Sequence, residues 1–204
     1  MNRFATLLVL IAPLVLSGQG LAADTPENIR PILVGATIPD LALANLDGES
    51  VRLMDLVSRR PTVLIYYRGG WCPFCSRQLQ QLQGLESVLD SLGFQIIAVS
   101  SDRPAKLKKS LDKHQLNYIL LSDSAMSGAM QLGLAWRMSE KQVRRYKLLR
   151  MDVEAASGMD HHLLPVPGVF ILDRKGVVKF QYVNPNHRER LSSAVLLAAA
   201  KEVR

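Results

Sequence analysis

The apolar positions of the chain fall into two kinds of run. Short unbroken stretches rich in β-branched and aromatic residues occur at Thr62–Tyr67 (TVLIYY), 94–100 (FQIIAVS), 118–121 and 168–173 (GVFILD), and they predict strands buried on both faces. Between the first two of these, Leu79, Leu82, Leu85, Leu89 and Leu92 recur at helical spacing and predict one helix from about 73 to 92, stopped by Gly93. Pro104–His114 predicts a second helix and 125–132 a short third. Ahead of them, 23–34 reads as an extended polar lead-in and 34–56 as a small β-rich opening with a turn at Asp47-Gly48. Residues 133–164 break the alternation: a charged excursion with one helix near 140–150. The chain closes with a hairpin, in which 168–173 turns through Arg174-Lys175-Gly176 into 177–183. A last helix over about 187–202 is predicted to carry Leu191, Val195 and Ala198 on one face.

The resulting order is β-α-β-α-β, an excursion, then β-β-α. Alternation first and a hairpin last imply an α/β domain with a mixed central sheet and helices on both faces. At the first strand-to-helix junction stands Trp71-Cys72-Pro73-Phe74-Cys75, and this placement gives the order its name, the thioredoxin arrangement. With 204 residues, 48% of them hydrophobic, the chain suits one such domain over 23–204.

Residues 1–22 read as a secretory leader. Arg3 supplies the positive start, 4–16 is apolar except at Thr6 and Pro13, and Gly20-Leu21-Ala22 places small residues where a signal peptidase inspects them. That run is too short for a membrane-spanning helix, which needs about 20 residues. The protein is therefore expected to be exported, to a periplasm, or to stay membrane-anchored if the leader is not cleaved; no stable span is expected afterwards. The net charge of +7 raises the question of an anionic partner. Its basic residues are scattered apart from Arg144, Arg145, Lys147 and Arg150, the pattern of a solvated surface, and no nucleic-acid partner is expected.

Export changes the meaning of the two cysteines. A stabilising disulfide gains most by closing a long loop, and Cys72 with Cys75 closes almost none. Such a pair reads as a reactive couple. The thiolate is the reactive species, and three features favour it at Cys72: unpaired N–H groups of the first helical turn, the helix dipole, and positive charge from Arg68 before the pair and Arg77 after it. Pro73 suits the first turn, where its missing N–H costs nothing. Cys72 is expected to be exposed and attacking, Cys75 buried and second. No cofactor is expected. A metal-handling module using the two cysteines with His161 or His162 is a non-enzymatic alternative; the expected metal-ligand set is none, with the two histidines in an exposed loop. Arg137, beside Trp136 in the excursion, is a further candidate guanidinium for the site.

These residues resemble the alkyl hydroperoxide reductase/thiol-specific antioxidant family in its peroxiredoxin-like branch. The resemblance rests on Val34-Gly35, Pro39-Asp40, Leu46-Asp47-Gly48, the run from Tyr66 through Cys75, Ala98-Val99-Ser100, Leu120-Leu121-Ser122-Asp123, Pro167 through Asp173, and the tail from Val183 to Arg190. It implies a thioredoxin-like fold, Cys72 as nucleophile, Cys75 as resolving partner, a hydroperoxide or protein-disulfide substrate, a thioredoxin-like external reductant, and Trp71 at the rim over the pair. The chain departs from the typical pattern at three places: Ile65 and Gly69 stand where a Pro and a Thr precede the nucleophile, and Pro167 stands where an Arg is usual. Modest peroxidase turnover follows. Pro167 resembles the cis-proline that faces the disulfide in thioredoxins, so the Val166-Pro167 peptide is expected to be cis.

Overall fold

The computed structural model describes residues 21–203, apart from the side chains of residues 113 and 114; all but the last two residues of the expected leader lie outside the described residues. One turn of 3₁₀ helix, Pro26–Asn28, interrupts the lead-in. Strands β1 (Ala42–Ala44) and β2 (Ser50–Arg52) pair antiparallel around a turn in which the Asn45 side chain accepts from the Asp47 and Glu49 amides. Helix α1 (Leu53–Val57) leads to β3 (Thr62–Tyr67), whose six residues are all buried, as its unbroken apolar run requires. The long helix expected after the cysteines is two helices, α2 (Pro73–Gln83) and α3 (Glu86–Ser91). The break falls at Gly84-Leu85, where the Leu85 amide bonds to Leu82 three residues back and tightens the turn.

Then follow β4 (Gln95–Ser100), α4 (Pro104–His114), β5 (Ile119–Ser122) and α5 (Ser127–Gln131). The excursion is more ordered than its charge pattern suggests. It holds β6 (Ala135–Arg137), α6 (Glu140–Leu148), α7 (Val153–Ser157) and β7 (Leu163–Pro165). Ser139 and Gln142 form a reciprocal cap at the start of α6, and Asp152 caps α7 through the Ala155 amide. The chain ends with β8 (Gly168–Leu172), β9 (Val178–Val183) and α8 (Ser193–Glu202).

The main sheet has the order β2-β1-β5-β4-β3-β8-β9, with β3, β4 and β5 parallel and the other pairs antiparallel. Alternation along β3 splits the core. Val63, Ile65 and Tyr67 face the cysteines, Leu79 and Leu82 of α2, Leu107 of α4 and Leu196 of α8. Leu64 and Tyr66 face α1 and the α5 region. A third cluster, with Trp136, Met138, Val143, Val153, Leu164 and Val166, belongs to the excursion and its β6–β7 pair. The lead-in docks there too: the Ala23 amide donates to Ala135 and the Arg137 amide to Ala23.

Two expectations are corrected at the C-terminal end. Helix α8 begins at its Ser192 cap, not near 187, because the Asn184 and Asn186 side chains accept from the Asn186 and Arg188 amides and hold that stretch out of helix. The later start turns the inner face to Leu196 and Ala200, and leaves Val195 and Ala198 exposed. The Val166-Pro167 peptide is trans, for no cis peptide occurs among the described residues. Its flanks explain this: the Val166 amide bonds to Leu134, while Gly168 pairs with Tyr66 and Val183. The chain is held extended between two sheets, and a cis bond would shorten the Cα–Cα step from about 3.8 to 2.9 Å.

Candidate active site

Strand β3 and helix α2 deliver the site. The strand ends in Tyr66 and Tyr67, both buried, and Arg68, Gly69 and Gly70 turn the chain into the helix. Cys72 is the N-cap residue and its carbonyl accepts the first helical bond, from the Ser76 amide. Pro73 opens the helix at its first position, as expected. Cys75, one turn in, lies under the sheet face with Leu79. Both thiols are free.

Both are also buried: Cys72 is 2% exposed and Cys75 0%. The expectation of an exposed first cysteine is therefore corrected. Trp71 and Phe74 pack on the core at the helix start, His187 meets the Phe74 ring edge-on at 5.8 Å, and the Arg188 guanidinium lies 5.9 Å from that ring.

Buried as they are, the thiols ionise in opposite directions. The hydrogen bond from Cys75 lowers the pKa of Cys72 to about 6 against the pull of burial, with Arg68, the Cys75 amide and Arg190 acting the same way. Burial pushes Cys75 well up, and the bond it gives Cys72 and the negative charge there push it further; Arg190 and the Arg68 amide oppose this.

Arg68 is 3% exposed. Its guanidinium donates to the Tyr146 hydroxyl at 2.8 Å and stacks 5.1 Å from the Trp71 ring and 5.3 Å from the Tyr146 ring. Trp71 in turn meets Tyr146 edge-on at 6.3 Å. Helix α6 of the excursion thus supplies the residue that fixes Arg68. Trp71 is half-buried, and with Gly70, Asp102, Lys106, Ser110 and Arg150 it lines a cavity of about 270 Å³ whose lining includes neither cysteine. Pro167 is buried between β7 and β8.

The other candidates separate from the site. Arg77 is exposed, and Arg137 donates to the His161 carbonyl at 2.6 Å within the excursion. His161 and His162 are half-buried, not exposed: His161 bonds the Ser124 carbonyl at 2.8 Å, and His162 bridges Glu154 and Glu140.

Residues not foreseen complete the site. Arg190, from the segment between β9 and α8, donates to Cys75 Sγ at 3.3 Å and to Gln78 Oε1 at 3.1 Å, and its Nε is buried without a partner. It belongs to the tail motif quoted above, which named the residue without a role. Asp102, just past β4, accepts from the Gly70 amide at 2.7 Å, and burial raises its pKa to about 6. Its place at the carboxyl end of a parallel strand, where α/β sites gather, was the available signal. His187 is pushed down to about 4 by burial and by Arg68, Arg190 and Arg188, and is neutral at physiological pH. Gly69, at φ +149°, explains the missing Thr: a Cβ there would collide with Trp71 Nε1 and the Asp102 carboxylate.

Residues 34–181 match the AhpC/TSA family. Peroxiredoxin Bcp of Escherichia coli is 33% identical over 107 residues, covering 52% of this chain and 67% of that protein. The thiol-disulfide oxidoreductase ResA of Geobacillus thermodenitrificans is 29% identical over 122 residues, covering 59% and 67%. Among solved structures, reduced Prx3 of Vibrio vulnificus superposes with a TM-score of 0.68 at 21% identity, covering 83% of this chain and 99% of that one.

Proposed function

Because the chain belongs to the AhpC/TSA family, we propose that it is a peroxiredoxin-like thiol peroxidase in which Cys72 attacks a hydroperoxide and Cys75 resolves the product. The observation that carries this reading is the split ionisation of two thiols one helical turn apart, with the buried Arg68 and half-buried Arg190 guanidinium groups beside them. The lowered Cys72 pKa supplies a thiolate at neutral pH, and the positive charge of Arg68 and Arg190 favours it. Attack forms a sulfur–oxygen bond and expels an alkoxide, which takes a proton; Cys72 becomes a sulfenic acid. Cys75 then displaces hydroxide to close the disulfide. A thioredoxin-like reductant returns both thiols.

Ile65, Gly69 and Pro167 support a modest rate. A lost hydrogen bond to the departing oxygen costs on the order of 10²- to 10³-fold. The same three residues, with the likeness to ResA, favour a second reading, exchange with protein disulfides. Parallel assays of peroxide consumption and insulin-disulfide reduction by the reduced protein separate the two. Turnover of peroxide above that of free cysteine is expected, abolished in Cys72→Ser and halted at a sulfenic acid or mixed disulfide in Cys75→Ser. Brisk insulin reduction with peroxide turnover no better than free cysteine would replace the peroxidase reading by the disulfide one. The chain acts after export, with its leader removed at Ala22; the pairing of Ala23 with β6 supports that boundary.

A further inference from the structure

The two cysteines share one difficulty. The arrangement that makes Cys72 a thiolate makes Cys75 a poor nucleophile, since Cys75 spends its proton on the bond to Cys72 and sits 0% exposed under the sheet. Something must reverse this once Cys72 has reacted. Among the described residues, the groups that act on Cys75 are Cys72 itself, Tyr67 of β3, the Arg68 amide, and Arg190. Tyr67 is a neutral phenol, pushed far up by burial first and by Asp102 next. Arg190 is the cation in direct contact with the sulfur.

We infer that Arg190 is a catalytic residue of the second half-reaction: its guanidinium stabilises the negative charge that develops on the Cys75 sulfur as it attacks oxidised Cys72, and Gln78 positions it to do so. The geometry is that of a two-point clamp. One terminal nitrogen donates to Cys75 Sγ at 3.3 Å and the other to Gln78 Oε1 at 3.1 Å, and Gln78 is itself buried on the same face of α2 as Cys75. The cation arrives from 115 residues away in sequence, on a segment that α8 anchors to the core through Leu196 and Ala200.

The clamp acts in sequence. In the reduced pair, the Cys72 charge and the bond to Cys72 both keep Cys75 protonated and outweigh Arg190. When the Cys72 sulfur is bonded to oxygen or to another sulfur, that charge and that bond are gone; burial, the largest of the opposing effects, remains, and Arg190 offsets part of it as the Cys75 proton leaves. Cys75 then attacks the Cys72 sulfur. A sulfur–sulfur bond forms, the bond from Cys72 to its leaving group breaks, and the proton lost by Cys75 ends on the departing hydroxide as water, or on the departing thiolate. This inference rests on the cysteine-pair reading but not on peroxide as the oxidant.

A chromogenic aromatic disulfide tests it on the whole chain without peroxide. Cys72 attack releases one coloured thiolate, and Cys75 attack on the mixed disulfide releases the second. The wild type is expected to release both. Arg190→Met is expected to slow the first release only slightly, Arg190 being the least of the groups that favour the Cys72 thiolate, and the second about tenfold or worse at neutral pH, with its pH midpoint moved up by one unit or more. Arg190→Lys restores part of the rate, because an ammonium carries the charge but does not span both contacts. Should Arg190→Met fail to fold, Arg190→Lys and Gln78→Leu decide: a slowed second release with a raised midpoint supports the clamp. An unchanged second phase and pH midpoint in the folded variants overturns it, leaving the peroxidase reading untouched. Loss of peroxide turnover in the wild type, with an Arg190-dependent second release intact, overturns the peroxidase reading instead.

Discussion

Cys72 and Cys75 occupy the same helical turn and are both sealed from water, yet each is driven away from the ordinary thiol value in its own direction. Cys72 accepts the hydrogen bond and is lowered further by Arg68 and Arg190; Cys75 is raised first by burial and then by giving that bond, with Arg190 opposing. Alkylation of the reduced protein followed against pH should therefore label Cys72 first, with a midpoint near 6, where an ordinary thiol gives about 8.5. Arg68→Met should raise that midpoint by about one unit. A midpoint at the ordinary value, or earlier labelling of Cys75, would reverse the assignment. Gly69 makes the complementary point about restoring the typical family residue. Its φ of +149° and the proximity of Trp71 and Asp102 leave no space for a side chain. Gly69→Thr should cost roughly 2 kcal/mol or more and bring no gain in peroxide turnover, measured by urea unfolding beside the peroxide assay. A stable variant with faster turnover contradicts this account of the loop.

Among the elements, α2 and α3 show how local chemistry edits a longer pattern. The leucine spacing runs through 79–92 without interruption, but at Gly84-Leu85 the Leu85 amide bonds Leu82 three residues back and the helix restarts. Gly84 itself has helical dihedrals, φ −66° and ψ −16°, and the nearest atom to an added Cβ is the Gln81 carbonyl oxygen at 3.4 Å. Gly84→Ala should stabilise by about 0.5–1 kcal/mol, chiefly by restricting the unfolded chain. Gly133, between α5 and β6, is the opposite case. It has φ +69°, and an added Cβ would strike the Arg30 carbonyl of the lead-in. Gly133→Ala should cost about 1–3 kcal/mol. Thermal melts of the two variants should move in opposite directions from the wild type; shifts of the same sign would mean that the close approach of residues 30 and 133 is not made. The excursion is also an element with a task, for Tyr146 on α6 and the ring of Trp71 together hold the Arg68 guanidinium.

At the scale of the whole molecule, the lead-in closes over the excursion. Ala23 forms a bridge to β6 while Leu21 stands 93% exposed, so among the described residues the first one paired to a strand is the one that follows the proposed cleavage point. Mass spectrometry of the exported protein should give an N-terminus at Ala23. An intact Met1 in the exported pool would rule out cleavage. A terminus several residues beyond Ala23 would place the cut inside the paired segment.

The sequence by itself determined the elements whose signals are local. Unbroken apolar runs are enough to define β3, β4 and β8, because a strand buried on both faces admits little else. Pro104 opens α4 and Pro73 opens α2, because proline fixes φ and lacks the N–H that a first turn leaves unpaired. The Cys-Pro-Phe-Cys junction could be read as a redox site for the same reason, since strand, turn and helix start are contiguous in the chain. What only the tertiary structure decided are the effects that arrive across long separations. Arg190 reaches Cys75 from 115 residues away, and Tyr146 reaches Arg68 from 78. The Val166-Pro167 bond is trans between pairings to two different sheets, and the segment after the last strand sets His187 against Phe74 of the site helix. Periodicity reports which face of an element is apolar; which charged side chain is folded against that face depends on the packing of the whole chain, and there the ionisation of the two thiols is set.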